Sequence, residues 1–292
     1  MVDILNVVLP TFLVILVGFL IAKLSKIDMT AIVDLLFWVG LPALVFTSML
    51  GNKIVLSDAG KVWASSLIIM GGCGVVAWIT FRLLRRKHSG VYLPIMLMNT
   101  VNIPFPIISM LYGDKGIFAA VLFYIPNVIA IYSIGILILS KKNWKDGLKE
   151  MAKVPAIYAA ILGLAFNLLN IKTPELILQP LNLIGQIVVP LSLLILGFKL
   201  ASVRITHLST TIISSVIRLG VGLLLGFAVV AIFNMTGIMR AVVLFESAMP
   251  GAVNTTLLTI KYDNEAELVS SVVFLTTIVS LVMIPLLVWM LS

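Results

Sequence analysis

MNTVNIPFPI, residues 98–107, sits within an otherwise apolar run and brings Asn99, Asn102, Pro104 and Pro106 together where an uninterrupted helix would be expected. Proline in a helix interior removes a backbone donor and collides with the preceding turn, at a cost of about 3 kcal/mol. What such a break means depends on its solvent. Of the 292 residues, 61% are hydrophobic and 11% charged, with a mean hydropathy of +1.19. Soluble chains are only about half apolar. The apolar residues come in runs of about twenty, the length of a helix crossing a hydrocarbon core, and not in the alternating ten-residue stretches of a membrane barrel. Lipid offers no partner to an unpaired amide, so the sequence predicts an all-α polytopic membrane protein.

Charge clusters, glycines and prolines divide the chain into ten expected spans: 4–22, 30–50, 60–81, 91–111, 117–139, 154–169, 176–198, 210–233, 238–260 and 268–291. The longest connection, KKNWKDGLKEMAK (141–153), reads as a basic cytoplasmic linker between a first unit, 1–140, and a second, 154–292. Pooling alternate loops puts Lys23, Lys26, Arg82, Arg85, Arg86, Lys87, Lys141, Lys142, Lys145, Lys149, Lys153, Lys199, Arg204 and Lys261 on one side. Lys53, Lys61, Lys115, Lys172 and Arg240 fall on the other. The excess of positive charge on cytoplasmic loops then predicts a multi-pass protein of the cell (inner) membrane with both termini outside. The start, MVDILNVVLP, has no basic stretch and no cleavage signal follows it, so the first segment reads as a retained helix. The single cysteine, Cys73, makes no internal disulfide and no metal site by itself, and reads as a packing residue.

The two halves share landmarks. PTFLVILVG (10–18) answers PAIYAAILG (155–163), Pro42 answers Pro190, and Pro104 answers Pro250, at offsets of 145, 148 and 146 residues. Duplication of an odd number of spans inverts the second copy. The expected fold is therefore ten transmembrane helices as two inverted five-helix repeats, with the fourth and ninth helices broken at a crossover, an architecture that recurs among secondary transporters.

The ninth span carries the matching defect in ESAMPGAVNTT (246–256), where Pro250 and Gly251 are flanked by Glu246, Ser247, Asn254 and Thr255. Broken backbone at membrane depth is tolerated only inside protein or beside a cavity. Its half-helix ends offer positive N-termini to an anion and free carbonyls to a cation. A proline kink with asparagines bonding neighbouring helices is the plainer reading of either segment alone. Glu246 is a carboxylate deep in a span and marks an ion or proton path, unless its span begins late and leaves it near the outer surface. Arg218, within the eighth span, could pair with a carboxylate substrate, or snorkel to the interface or line a vestibule. Asp34, Gln179 and Gln186 read as packing or interfacial residues.

The stretches LMNTVNIPFPIISMLYGDKG, VVPLSLLILGFKLA and ESAMPGAVNTTLLTIKY, with IVSLVMIPLLVWML after them, resemble the auxin efflux carrier family over essentially the whole chain. That family includes plant auxin exporters and prokaryotic carriers of small organic acids; the short central loop here resembles the prokaryotic members. The resemblance implies a scaffold part and a transport part. It makes Asn99 the substrate-contacting asparagine, Pro104 or Pro106 the crossover proline of the fourth span, and Pro250 and Asn254 neighbours of the second break. The architecture is also distantly similar to the bile acid sodium symporters, whose ninth span carries a cation-site glutamate, a part that Glu246 could take by analogy.

The expected function is secondary transport of a small organic anion, a mono- or dicarboxylate such as malate or malonate or an auxin-like acid. Asn99, Asn102, Asn254, Thr255 and Arg218 are the expected substrate ligands. Pro104, Pro106, Pro250 and Gly251 make the crossover, and Glu246 with Ser247 couples H+ or Na+, with Na+ at Glu246 the only metal in view. A channel or membrane sensor using the same break is the alternative. An enzyme is not expected, because His88 and His207 lie in loops and neither HExxH nor GxSxG occurs. No ATP-binding loop and no cofactor are expected either. Membrane lipids are the expected surroundings, with no nucleic-acid partner and with a homodimer left open.

Overall fold

The computed structural model describes residues 4–25, 27–51, 55–140, 144–201 and 205–291. These residues form helices and no strand. We number the helices α1 (Ile4–Leu24), α2 (Thr30–Gly51), α3 (Leu56–Leu83), α4 (Tyr92–Met96), α5 (Pro104–Leu139), α6 (Trp144–Met151), α7 (Pro155–Leu168), α8 (Glu175–Leu200), α9 (Leu208–Ile232), α10 (Gly237–Ser247), α11 (Val253–Lys261) and α12 (Ala266–Leu291). Six of them, α2, α3, α5, α8, α9 and α12, are long and apolar enough to cross a membrane. Lys26, Lys53, Lys141, Lys142 and Arg204, counted in the charge pools, lie outside the described residues.

Local chemistry sets the helix ends. Pro104 and Pro155 stand at the starts of α5 and α7, where a missing N–H costs nothing. Ahead of α2, Asp28 accepts from the Thr30 hydroxyl at 2.6 Å and the Thr30 N–H at 2.9 Å, which holds its carboxyl below the usual range. Within α5 the backbone turns at Gly113, whose φ of 56° favours glycine, so that residues 104–112 and 114–139 run as separate helical pieces. The connection 141–153, expected as a plain linker, contains the helix α6, which packs on a π-helical turn of α5, Ile131–Gly135. Its Glu150 bonds Lys153 at 3.0 Å and Lys261, the last residue of α11, at 3.1 Å. Burial pushes that carboxyl up, but the two lysines outweigh it and hold it below its usual value.

Many large apolar side chains are exposed, as a lipid-facing wall requires, among them Leu13, Leu16 and Leu20 on α1, Trp78 on α3, Leu224 on α9 and Val282, Leu286 and Trp289 on α12. Within that wall, α1 packs along the second half of α8, and α7 along the second half of α2. Both contacts use a glycine, the last residue of the stretches 10–18 and 155–163. A Cβ on Gly18 of α1 would strike the Leu194 carbonyl of α8, and one on Gly163 of α7 would lie 2.7 Å from Met49 Cβ and 3.2 Å from the Phe46 carbonyl of α2. Small residues let membrane helices approach backbone to backbone. The landmark Pro104 and Pro250 behave differently, since Pro104 opens a helix whereas Pro250 precedes α11 by three residues within a non-helical stretch.

Valine at Gly18 or at Gly163 should force these helix pairs apart, and overpacking of this kind costs about 1–3 kcal/mol. Thermal unfolding in detergent checks this, with a lower midpoint expected for each variant and an unchanged midpoint counting against the packing described.

Candidate functional site: the crossing of two unwound segments

Residues 97–103 separate α4 from α5, and residues 248–252 separate α10 from α11. The two stretches meet as an isolated antiparallel bridge between Met98 and Gly251. The Asn99 N–H donates to the Pro250 carbonyl at 2.8 Å, and the Ala252 N–H to the Leu97 carbonyl at 2.9 Å. Buried backbone groups must find partners, and each break thus supplies what the other lacks. The crossing therefore lies at Met98, ahead of both prolines of the first segment; Pro104 and Pro106 belong to the first turn of α5.

Side chains satisfy further groups. Asn127 of α5, wholly buried, donates Nδ2 to the Met98 carbonyl at 2.7 Å and to Thr100 Oγ1 at 3.1 Å, and its Oδ1 accepts the Met98 N–H at 3.3 Å. The Thr276 hydroxyl of α12 accepts the Gly251 N–H at 3.2 Å. Arg218, on a π-helical turn of α9 (Ile217–Val221), donates Nη1 to the Ile95 carbonyl at 3.2 Å and Nη2 to the Ser247 carbonyl at 2.6 Å. The loops beyond the broken helices are joined as well: His88 Nδ1 lies 2.6 Å from Glu265 Oε1, and the Gly90 N–H donates to Glu265 Oε2 at 2.8 Å.

Beside the crossing lies a cavity of about 70 Å³, whose polar lining includes Asn99, Asn102, Tyr124, Asn127, Lys199 and Asn254. The start of α11 stands at the same place, with Val253 and Asn254 in the lining, and carries a positive helix end toward the cavity. Asn99 Oδ1 accepts the Asn102 N–H at 3.0 Å, which leaves its Nδ2 buried with no partner. Two larger cavities lie toward opposite ends of α8. One, of about 420 Å³, is lined by Lys199, Thr206, Thr256, Glu267 and Ser270; the other, of about 660 Å³, by Thr47, Ser109, Asp114, Asn182 and Gln186. Among the described residues, the small cavity shares Lys199 and Val253 with the first and no lining residue with the second.

Of the residues expected from sequence, Asn99, Asn102 and Asn254 come together on the small cavity. Thr255 is buried beside it, its hydroxyl donating to the Ala252 carbonyl at 2.6 Å. Arg218 is wholly buried among half-helix ends and is not among the lining residues of the cavity. Glu246 is wholly buried on α10, both carboxylate oxygens without a hydrogen-bond partner, and the Ser247 hydroxyl donates to the Leu244 carbonyl at 2.7 Å. Asn127, Lys199 and Thr276 were not legible as site residues. A signal for Asn127 exists, since it follows Pro126 as a lone amide in an apolar run. Lys199 sits near the end of its span and reads as a loop charge.

A family model described as membrane transport protein matches residues 3–152 and 143–289, nearly the whole chain. The chain belongs to this family. It is the auxin efflux carrier family that the motifs resemble. An "uncharacterized transporter" of Methanocaldococcus jannaschii is 27% identical over 303 residues, covering 98% of each chain. Another, of Methanothermobacter thermautotrophicus, is 26% identical over 293 residues, covering 96% of this chain and 95% of its own. The uncharacterized transporter YfdV of Escherichia coli is 24% identical over 197 residues, covering 61% of this chain and 62% of its own.

Replacing Asn127 by alanine would strand the N–H and the carbonyl of Met98, and each buried unsatisfied group costs about 1–3 kcal/mol. The expected outcome is a clear fall in the unfolding midpoint in detergent, larger than that for Asn254→Ala, whose side chain borders open space; equal midpoints would contradict the role given to Asn127.

Proposed function

We propose that this membrane transporter is a secondary carrier of a small organic anion, a carboxylate, working by alternating access at the crossing. The observation that carries the reading is the small cavity where the Asn99, Asn102 and Asn254 side chains, Lys199 and the N-terminal end of α11 converge. Helix N-termini and amide donors suit a carboxylate, and the unpartnered Asn99 Nδ2 is a donor available to one. The two larger cavities, one toward each end of α8, are the expected entry and exit.

On this reading the chain makes ten spans in two inverted five-helix repeats, 1–140 and 154–292, with 141–153 between them. The fourth span is α4 with residues 104–112, and the ninth is α10 with α11. The matched contacts of Gly18 with Leu194 and of Gly163 with Phe46 support the repeat, because they relate the first and seventh spans as the sixth and second. The charge bias of the loops supports both termini lying outside the cell membrane. Glu246, buried and unpartnered, is the proposed site for a coupling H+ or Na+. Coupling governs direction: an anion leaving a negative interior gains about 2.3 kcal/mol per charge per 100 mV, so uptake needs a cation and export does not.

Flux of labelled mono- and dicarboxylates into proteoliposomes, with and without Na+ and pH gradients, tests the reading. Saturable uptake of at least one carboxylate is expected. Loss of one hydrogen bond to a charged ligand is worth about 1.5–3 kcal/mol, so Asn99→Ala should raise KM about tenfold or more. Glu246→Gln should abolish gradient-driven accumulation while sparing exchange. Non-saturating current would favour a channel, and full accumulation by Glu246→Gln would remove the carboxylate from the coupling step.

A further inference from the structure

The broken helices leave two kinds of end at the crossing, and only one kind faces the cavity. The N-terminal end of α11 stands beside it, with Val253 and Asn254 in its lining. The C-terminal ends of α4 and α10 point the other way, and their last carbonyls are mostly consumed locally: Leu93 by the Leu97 N–H, Phe245 by Ala248 and Glu246 by Met249. The Ile95 carbonyl on α4 and the Ser247 carbonyl on α10 are both taken by one side chain. The free carbonyls at a helix C-terminus carry partial negative charge, which suits a cation. Arg218 has no exposed surface and forms no ion pair with Glu246, although both are buried and Glu246 is chain neighbour to Ser247. The fork of a guanidinium can reach two acceptors at once, which a lysine ammonium on its flexible stem does less well.

The surroundings are shaped for that group. The π-helical turn Ile217–Val221 re-aims Arg218, and such turns are frequent at functional sites. One turn on, a Cβ at Gly222 would strike Arg218 Nη2 and would lie 2.6 Å from the Ser247 carbonyl. At the next turn, a Cβ on Gly226 would lie 2.6 Å from Ser247 Cβ. α9 is thus smooth where α10 and the guanidinium press against it.

We infer that Arg218 is a positioning residue: a built-in cation that fastens the C-terminal ends of α4 and α10, at Ile95 and Ser247, into one unit, and does not bind the transported anion. It gives the two carbonyl-bearing helix ends a permanent counter-charge, so that the crossing segments keep their register while the N-terminal end of α11 stays open to ligand. The inference rests on the proposed carrier function for its kinetic readout and on the fold alone for its second readout.

Two variants and two readouts test it. In proteoliposomes, Arg218→Lys should leave KM for a transported carboxylate within about twofold of the parent and lower turnover about tenfold or more, the pattern of a group that does not contact the ground-state ligand. In detergent, Arg218→Ala should unfold at a lower temperature than the parent, and millimolar guanidinium should raise the midpoint of Arg218→Ala but not of the parent, with tetramethylammonium, too large for the vacated space, raising neither. If Arg218→Ala does not fold, Arg218→Lys should show an intermediate midpoint by the same measurement. A large rise in KM with turnover intact would make Arg218 a substrate ligand and overturn the inference, as would parental turnover and melting in Arg218→Lys and Arg218→Ala. If the parent transports no carboxylate, the carrier reading fails, and the guanidinium-dependent melting still decides the role of Arg218.

Discussion

Everything at the centre of this molecule follows from the need to satisfy backbone polar groups where no water reaches them. Two chain segments abandon helical geometry, and each freed donor or acceptor in lipid would cost several kcal/mol. Two hydrogen bonds exchanged across the Met98–Gly251 bridge meet part of that cost, and neither segment could make them alone. Asn127, Thr276 and Arg218, from three other helices, take up further groups. The surrounding helices are therefore committed to one arrangement of the crossing.

That arrangement separates charge. Two helix C-terminal carbonyls meet a buried guanidinium, whereas the start of α11 meets a cavity bordered by amides and by Lys199. The proposed carboxylate specificity rests on that asymmetry. Glu246 stands apart from both, buried with neither oxygen bonded, a costly position for a carboxylate.

Much of this was legible in the sequence, for physical reasons that differ by residue. Hydropathy marked the long helices because lipid demands uninterrupted apolar runs, and the polar breaks stood out against them. Asn99, Asn102 and Asn254 were readable as cavity residues because amides are rare in such runs. The point of crossing was not readable from the prolines: Pro104 and Pro106 start a helix, and the chain unwinds ahead of them at Met98, a residue with no local signal. The partners of Arg218 could not be foreseen, since they are main-chain carbonyls on two other helices, and a carbonyl leaves no mark in a sequence. Lys199 was hidden by its place near a span end, where charge ordinarily means solvent. Family membership adds the transporter class and leaves the chemistry of the cavity to be argued from these side chains.

The central claim, that the space beside the crossing receives a carboxylate, is open to direct measurement. The only native cysteine, Cys73, is buried, so single cysteines at Val101 and Val253, which line the small cavity, can be alkylated with little background. A third at Thr47, in the cavity that shares no lining residue with it, serves as control. The account predicts that a transported carboxylate slows alkylation at positions 101 and 253 and leaves position 47 unchanged. Alkylation at 101 and 253 that is indifferent to every transported carboxylate would contradict it.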